Sequence, residues 1–222
     1  MASLTAAGTE PLFRLLNCYI PLGQADREAL KMLETGPMLS AEARSDIARE
    51  GENPSVVRLL VSGWACRYKD LPDGRRQIVG FFLPGDFCDQ NVYILSQLDH
   101  SIGALTHVRY YEIAPQHMQD VLDQRPDLLR ASLYHEMVAS AIQREWLLSI
   151  GQRSPVERLA HLFVELYYRL QAVGLTTGLS FDFPLTQTHL ADANGVSLVH
   201  INRTLQEMRR EGLIELCDRQ LR

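Results

Sequence analysis

The sequence predicts an α+β chain: a barrel or sandwich of short strands, then a long helix, then a small helical domain that ends in a strand. Three observations carry this. Residues from about 37 to 114 are short apolar stretches broken by turn residues. Residues from about 127 to 150 hold neither Pro nor Gly and repeat with helical spacing. Residues 185–205 carry the spacing of a helix-turn-helix.

The elements follow in order. Leu12, Phe13, Leu15 and Leu16, then Leu30 and Leu33, mark short helices between residues 12 and about 35. Val56–Val61 reads as a strand closed by Ser62-Gly63. Trp64–Asp70 and Arg75–Phe82 flank Pro72-Asp73-Gly74, a hairpin signal. Pro84-Gly85-Asp86 is another turn, and Ile102–Thr106 and Val108–Ile113 are further strands. Many short strands at close spacing predict a sandwich or barrel.

In the long helix, Leu133, Met137, Ala141 and Leu148 fall near one stripe, with Val138 and Ile142 beside it. A helix of about 24 residues is roughly 36 Å long, more than a barrel of this size covers. Two readings stay open: packing along the sheet, or a seam with a second copy of the chain. Gly151 ends the helix. Ser154, Pro155 and Glu157 then form a helix-start signature, and Leu159, Leu162, Phe163, Leu166 and Leu170 face inward from the next helix. A domain boundary is expected near residue 151.

Bulk properties exclude several classes. The chain has 222 residues and is 46% hydrophobic, within the globular range. No apolar run approaches the roughly 18 residues that span a bilayer. The N-terminus lacks the basic start and apolar core of a secretory signal. Cys18, Cys66, Cys88 and Cys217 stand far apart, without metal-ligand spacing, and read as thiols in a reducing cytoplasm. The net charge of −5 lies wholly in residues 1–150, with 14 basic against 19 acidic side chains; residues 151–222 balance at 8 and 8. A neutral domain can still present a basic face, so charge permits nucleic-acid binding without arguing for it.

The stretch from Leu185 to Leu205 is the most informative. Leu190 and Ala191 belong to a first short helix. Gly195 supplies the left-handed turn, Val196 is expected to plug the core, and Ser197 caps a second helix. Ile201 and Leu205 face inward. Leu198, Val199, His200, Asn202, Arg203 and Gln206 are left on or near the outward side. An ordinary αα-hairpin shares the glycine and the cap. The order of small residue, turn, apolar plug, capped helix and basic outward face points instead to DNA. Thr186 and Gln187 are candidates for phosphate contacts, and Arg203 for direct reading of a base. Gly212–Leu216 reads as a turn into a strand, which makes the motif a winged one.

The chain resembles the CRP/FNR family, the cyclic-AMP-receptor and fumarate-nitrate-regulator group of bacterial transcription factors. The resemblance runs through Leu71–Gln77, Phe82–Asp86, Glu157–Ala160 and Pro184–Arg210. It implies a cyclic-nucleotide-binding-like jelly-roll β-barrel with N-terminal helices at 1–126. A dimerisation helix at 127–151 and a winged-helix DNA-binding domain at 152–222 would follow. It further implies a homodimer seamed by Leu133, Met137, Ala141 and Leu148, and double-stranded DNA and RNA polymerase as partners. An effector pocket is implied near Gly85, Asp86, His100 and Ser101. Members usually continue past a position like Arg222, so the wing is expected to be cut short.

Three departures bear on the effector and the operator. A single N-terminal cysteine, Cys18, cannot hold an iron-sulfur cluster that wants four ligands, so none is expected. Where cyclic-AMP members place Arg-Ser against the phosphate, this chain has His100-Ser101, and no ribose-binding Glu is evident after Gly85-Asp86. Tight cyclic-AMP binding is therefore not expected, and any small effector is unidentified. The position of the family's cytosine-reading Glu holds Val199, which cannot accept a hydrogen bond.

His100, His107 and His117 lack the close spacing of a metal site, and no metal is expected. Cys66 and Cys88 could pair on oxidation but read first as buried thiols. Trp64 and Trp146 read as core or interface. No nucleophile–base arrangement or phosphate-cradling glycine loop is found, so no enzyme activity is expected. The leading reading is an effector-gated DNA-binding regulator. The alternatives are the same fold with an empty barrel, controlled by abundance, and a ligand-binding barrel without DNA binding.

Overall fold

Val108, Tyr111 and Ile113 are buried and Arg109 is exposed; Val108 is an odd number of residues from the other two, so this strand buries side chains on both of its faces. This strand is central to the first of three sheets in the computed structural model, which describes residues 8–88 and 96–222. In chain order the elements are α1 (Glu10–Asn17), α2 (Gln24–Lys31), β1 (Leu39–Ala41), β2 (Asp46–Ala48), β3 (Val57–Ser62), β4 (Ala65–Asp70), β5 (Arg76–Phe82), β6 (Phe87–Cys88), β7 (Ser101–Ala104) and β8 (Val108–Ile113). There follow α3 (Pro115–Asp123), α4 (Pro126–Gln152), α5 (Pro155–Ala172), β9 (Thr176–Thr177), β10 (Ser180–Asp182), α6 (Gln187–Asn194), α7 (Leu198–Arg210), β11 (Leu216–Cys217) and β12 (Gln220–Leu221).

The chain divides into two compact units. One runs up to Arg67 and continues through Phe81–Val138. The other joins the hairpin segment Tyr68–Gly80 to Ala139–Arg222. The strands before α3 form two four-stranded sheets, ordered β1-β8-β3-β6 and β2-β7-β4-β5. β8 pairs antiparallel with both β1 and β3, and β2 with β7. One apolar core draws on both sheets, through Val57, Leu59, Val108 and Ile113 on one side and Ala48, Ile102 and Phe82 on the other. Leu12, Leu16 and Leu30 of the first helices join it. Two sheets that bury side chains in one shared core make a two-layer arrangement.

The strand between Ile102 and Thr106 is shorter than the sequence predicts. Leu105 and Thr106 both turn their amides to the carbonyl of Trp64, and the Thr106 hydroxyl accepts from the Trp64 amide at 2.9 Å. The ladder is thereby replaced by a corner. Trp64 and Trp146 are both buried. Gly85 has a φ of +97°, and a Cβ there would stand 2.9 Å from the Pro11 carbonyl carbon, so only glycine lets the start of α1 lie on this turn.

The first turns of α4 place Leu128 and Ala131 in the core of the first unit. Further along, Leu133, Met137 and Val138 are exposed, Met137 to 67%. In the second unit Leu148 is also exposed and Ala141 is half-buried.

The second unit is built on α5. Ser154 caps it: Oγ accepts from the Glu157 amide at 3.4 Å, and the Glu157 carboxylate accepts from the Ser154 amide at 2.7 Å. Leu159, Leu162, Phe163, Leu166 and Leu170 are all buried, as the helical spacing predicts. Trp146 donates to Glu165 at 2.6 Å, fastening the end of α4 to α5. The wing is a two-strand hairpin, β11 with β12, joined to β10 and β9. Its turn residues Asp218 and Arg219 both have positive φ. The sequence reading expected only one strand there, because no Asn-Gly or Asp-Gly pair announces this turn.

Candidate nucleic-acid interface

Thr186 and Ser197 begin the two helices of the motif. Thr186 Oγ1 accepts from the His189 amide at 3.2 Å, and His189 Nδ1 accepts from the Thr186 amide at 3.2 Å, closing a capping box. The His189 half of this box was not anticipated, because the usual partner at that position is Glu or Gln. Ser197 Oγ accepts from the His200 amide at 3.3 Å. Gly195 ends α6 at φ +64°, ψ 35°, the left-handed turn predicted for it. Val196 is only half-buried and is not the core plug the sequence suggests. Leu190, Ile201, Leu205 and Met208 are the buried side chains here, and Val196 follows the left-handed Gly195.

α7 sorts its side chains by face. Ile201, Thr204, Leu205 and Met208 are buried. Leu198, Val199, Arg203 and Gln206 are exposed, Val199 to 81%. His200 and Asn202 are half-buried. The Asn202 side-chain amide donates to Oε1 of Gln187 at 3.1 Å, joining the second helix to the first. Thr186, Ser197, Leu198, Val199 and Arg203 are exposed, and Gln187 is half-buried. Arg209 and Arg210 close α7, where cations suit the negative end of the helix.

The end of α6 is secured from outside the motif. Arg158 of α5 donates to the Asn194 carbonyl at 3.4 Å, and Gln77 of β5 to the Ala193 carbonyl at 3.2 Å. Burial pushes the Asp192 carboxyl up; Arg76 opposes that shift and Asp70 adds to it.

The expected effector residues lie in the first unit, in two pairs on different sheets. Gly85 and Asp86 form the turn into β6. Asp86 is buried, accepts from the Leu83 amide at 2.7 Å and lies 3.9 Å from His135 Nε2. His100 and Ser101 lead into β7. His100 is buried 2.7 Å from Asp99, and the Ser101 hydroxyl accepts from the Glu50 amide at 3.0 Å. Residues 89–95, where a ribose-binding Glu would be sought, lie outside the described residues.

Cys66 and Cys88 are buried on separate strands, and Cys18 and Cys217 are exposed in different units. Among the described residues, no group of three or more His, Cys, Asp or Glu could hold a metal ion, and no helix is long and apolar enough to cross a membrane.

Residues 157–222 match the family described as the Crp-like helix-turn-helix domain, and residues 38–125 match the cyclic nucleotide-binding domain. The chain is 34% identical over 202 residues to the transcriptional activatory protein AadR of Rhodopseudomonas palustris, covering 87% of this chain and 79% of that one. The chain belongs to the CRP/FNR family of transcription regulators. The transcriptional activator protein FnrL of Cereibacter sphaeroides is 26% identical over 87% of this chain and 79% of its own length. The solved structure of FixK2 from Bradyrhizobium japonicum shares the fold at a TM-score of 0.71, with 22% identity over 83% of this chain and 90% of that one. This CRP/FNR member is accordingly a DNA-binding transcription regulator, not an enzyme. Its cyclic-nucleotide-binding domain allows an effector to bind.

Proposed function

We propose that this regulator works as a homodimer on an inverted-repeat operator, with α7 of each copy in a major groove. The supporting observation is the division of α7. Its buried row anchors it to α5, and its exposed row of Leu198, Val199, Arg203 and Gln206 is presented from a capped helix start. Arg203 reads a guanine and Val199 meets an apolar base edge such as a thymine methyl. His200 and Asn202 serve a second base or a phosphate. Thr186, Gln187 and Ser197 hold the backbone. The exposed stripe through Leu133, Met137 and Leu148 supports α4 as the seam, with Ala141 between.

Under this reading residues 1–126 sense, 127–151 dimerise and 152–222 bind DNA. RNA polymerase is the second macromolecular partner, and the cytoplasm is the place of action. No resident metal or cluster takes part. A small effector other than cyclic AMP sits near Gly85, Asp86, His100 and Ser101. The backbone of α1 against Gly85 and the Asp99 carboxylate beside His100 both disfavour a cyclic phosphate there. The test is selection of bound duplexes from a random pool by the whole protein, with and without cell extract. An enriched inverted repeat with half-site centres about 10 base pairs apart, or a multiple of that, supports the reading. Enrichment of no motif, or of a lone half-site, overturns it.

A further inference from the structure

The last carbonyls of a helix have no partner within it and must find one elsewhere. At the end of α6, inside the reading motif, the Gly195 amide reaches the Ala191 carbonyl, and further donors come from within the motif and from outside it. The Asn194 side chain turns back to the Leu190 carbonyl at 2.7 Å, and the Val196 amide reaches the Ala191 carbonyl at 3.2 Å. Both belong to the motif. The Ala193 carbonyl takes Nε2 of Gln77, and the Asn194 carbonyl takes Arg158. Arg158 comes from α5, the scaffold helix of the same domain. Gln77 comes from the β4–β5 hairpin, 116 residues away in the sequence.

The hairpin has cross-strand contacts of its own. Arg76 and Asp70 pair across it at 2.8 and 3.0 Å, and the Arg76 guanidinium lies 3.6 Å from the centre of the Tyr68 ring. Gln77 and Val79 both lie on β5. The carbonyl of Val79 accepts from Gln143 of α4 at 2.9 Å. One strand therefore touches both the second half of α4 and the end of α6. The Gln77 amide also lies over the turn of the motif, since a Cβ on Gly195 would meet its Oε1 at 3.4 Å.

We propose that Gln77 is a positioning residue for DNA reading: by capping the Ala193 carbonyl it fixes the end of α6, and with it α7, at the angle that matches one half-site spacing. Gln77 touches no base. It acts through the turn that joins the two helices. In a dimer the separation of the two reading helices sets the operator spacing. A brace from the hairpin to this turn therefore governs which spacing is accepted, while the exposed row of α7 governs which bases are preferred. The inference rests on the dimeric reading above.

The experiment uses the whole protein and the selected operator, together with versions whose half-sites stand one base pair closer and one farther apart. Affinities come from fluorescence anisotropy. The unaltered protein is expected to prefer one spacing by about tenfold or more. Gln77→Leu keeps the size of the side chain and removes the donor. It should reduce that preference to about threefold or less. Its base preference within each half-site and its unfolding midpoint should stay as they were. Gln77→Lys retains a donor for the carbonyl and should retain the spacing preference. If Gln77→Leu discriminates spacing as well as the unaltered protein, the inference is wrong. It is equally wrong if Gln77→Lys loses the preference as fully as Gln77→Leu, or if affinity rises with the preference intact. An unaltered protein that selects no inverted repeat removes the dimeric reading itself, a separate failure.

Discussion

The side-chain nitrogen of Asn202 donates to Oε1 of Gln187 at 3.1 Å, so the two helices of the motif are tied by one amide pair. Gln187 is held by its oxygen, and in the proposed reading its amide nitrogen donates to a phosphate. Asn202 is held by its nitrogen, and in the proposed reading its oxygen accepts from a base. The two residues should behave as a unit. In a cycle of Gln187→Ala, Asn202→Ala and the double variant, operator affinities should show a coupling of about 0.5–1.5 kcal/mol. Strict additivity would mean the pair does not hold on DNA.

Arg203 is exposed on the outward row, next to Asn202 and one helical turn from Val199. Its planar fork can donate twice to guanine O6 and N7. Arg203→Ala should flatten preference at one guanine of each half-site, a loss of about 1–3 kcal/mol of discrimination. Losing a phosphate donor such as Gln187 should instead weaken all sequences about equally. Affinities on native and base-substituted operators separate these outcomes. An unchanged profile for Arg203→Ala would reassign the reading helix.

Met137 is 67% exposed in a single chain, and Leu133 is 57% exposed one turn before it. In the proposed dimer a second α4 covers this apolar stripe. Met137→Lys would bury an unpaired cation at that seam, at a cost of about 3–5 kcal/mol of association. Sedimentation at micromolar concentration should show a dimer for the unaltered protein and a monomer for the variant. A monomeric unaltered protein contradicts the seam.

The Ser154–Glu157 box predicts a pH dependence. The backbone amide of Ser154, then its hydroxyl, hold the Glu157 carboxyl below its ordinary value of 4.5. A carboxyl lowered in the folded state stabilises it above the unfolded value, and that gain disappears as pH falls through the folded value. The midpoint difference between the unaltered protein and Glu157→Gln should be constant above about pH 5.5 and shrink toward pH 3. Ser154→Ala, which removes the cap itself, should cost about 0.5–2 kcal/mol at neutral pH. A Glu157→Gln difference that persists undiminished at pH 3 would show that the carboxylate is not the stabilising group.

The sequence by itself determined the features that depend on near neighbours. The cap at Ser154, the left-handed turn at Gly195, the buried stripe of α5 and the division of α7 all involve residues within a few turns of each other. Their chemistry is set by helical spacing and capping, which need no knowledge of the rest of the chain. The type of the wing was half legible: Gly212 announced a turn, but the hairpin depends on two non-glycine residues at positive φ, Asp218 and Arg219. Only the tertiary structure decided the rest. Nothing local in Leu71–Gln77 points Gln77 at a carbonyl 116 residues away, and nothing in Pro84-Gly85-Asp86 tells that α1 will lie on the glycine. Val196 is apolar and follows the turn, which suggests a core residue, yet it is only half-buried while Ile201 and Leu205 are buried. Such contacts exist only once distant segments have been brought together by burial of the shared cores. They are consequences of where the chain closes, and spacing along the sequence carries no record of that.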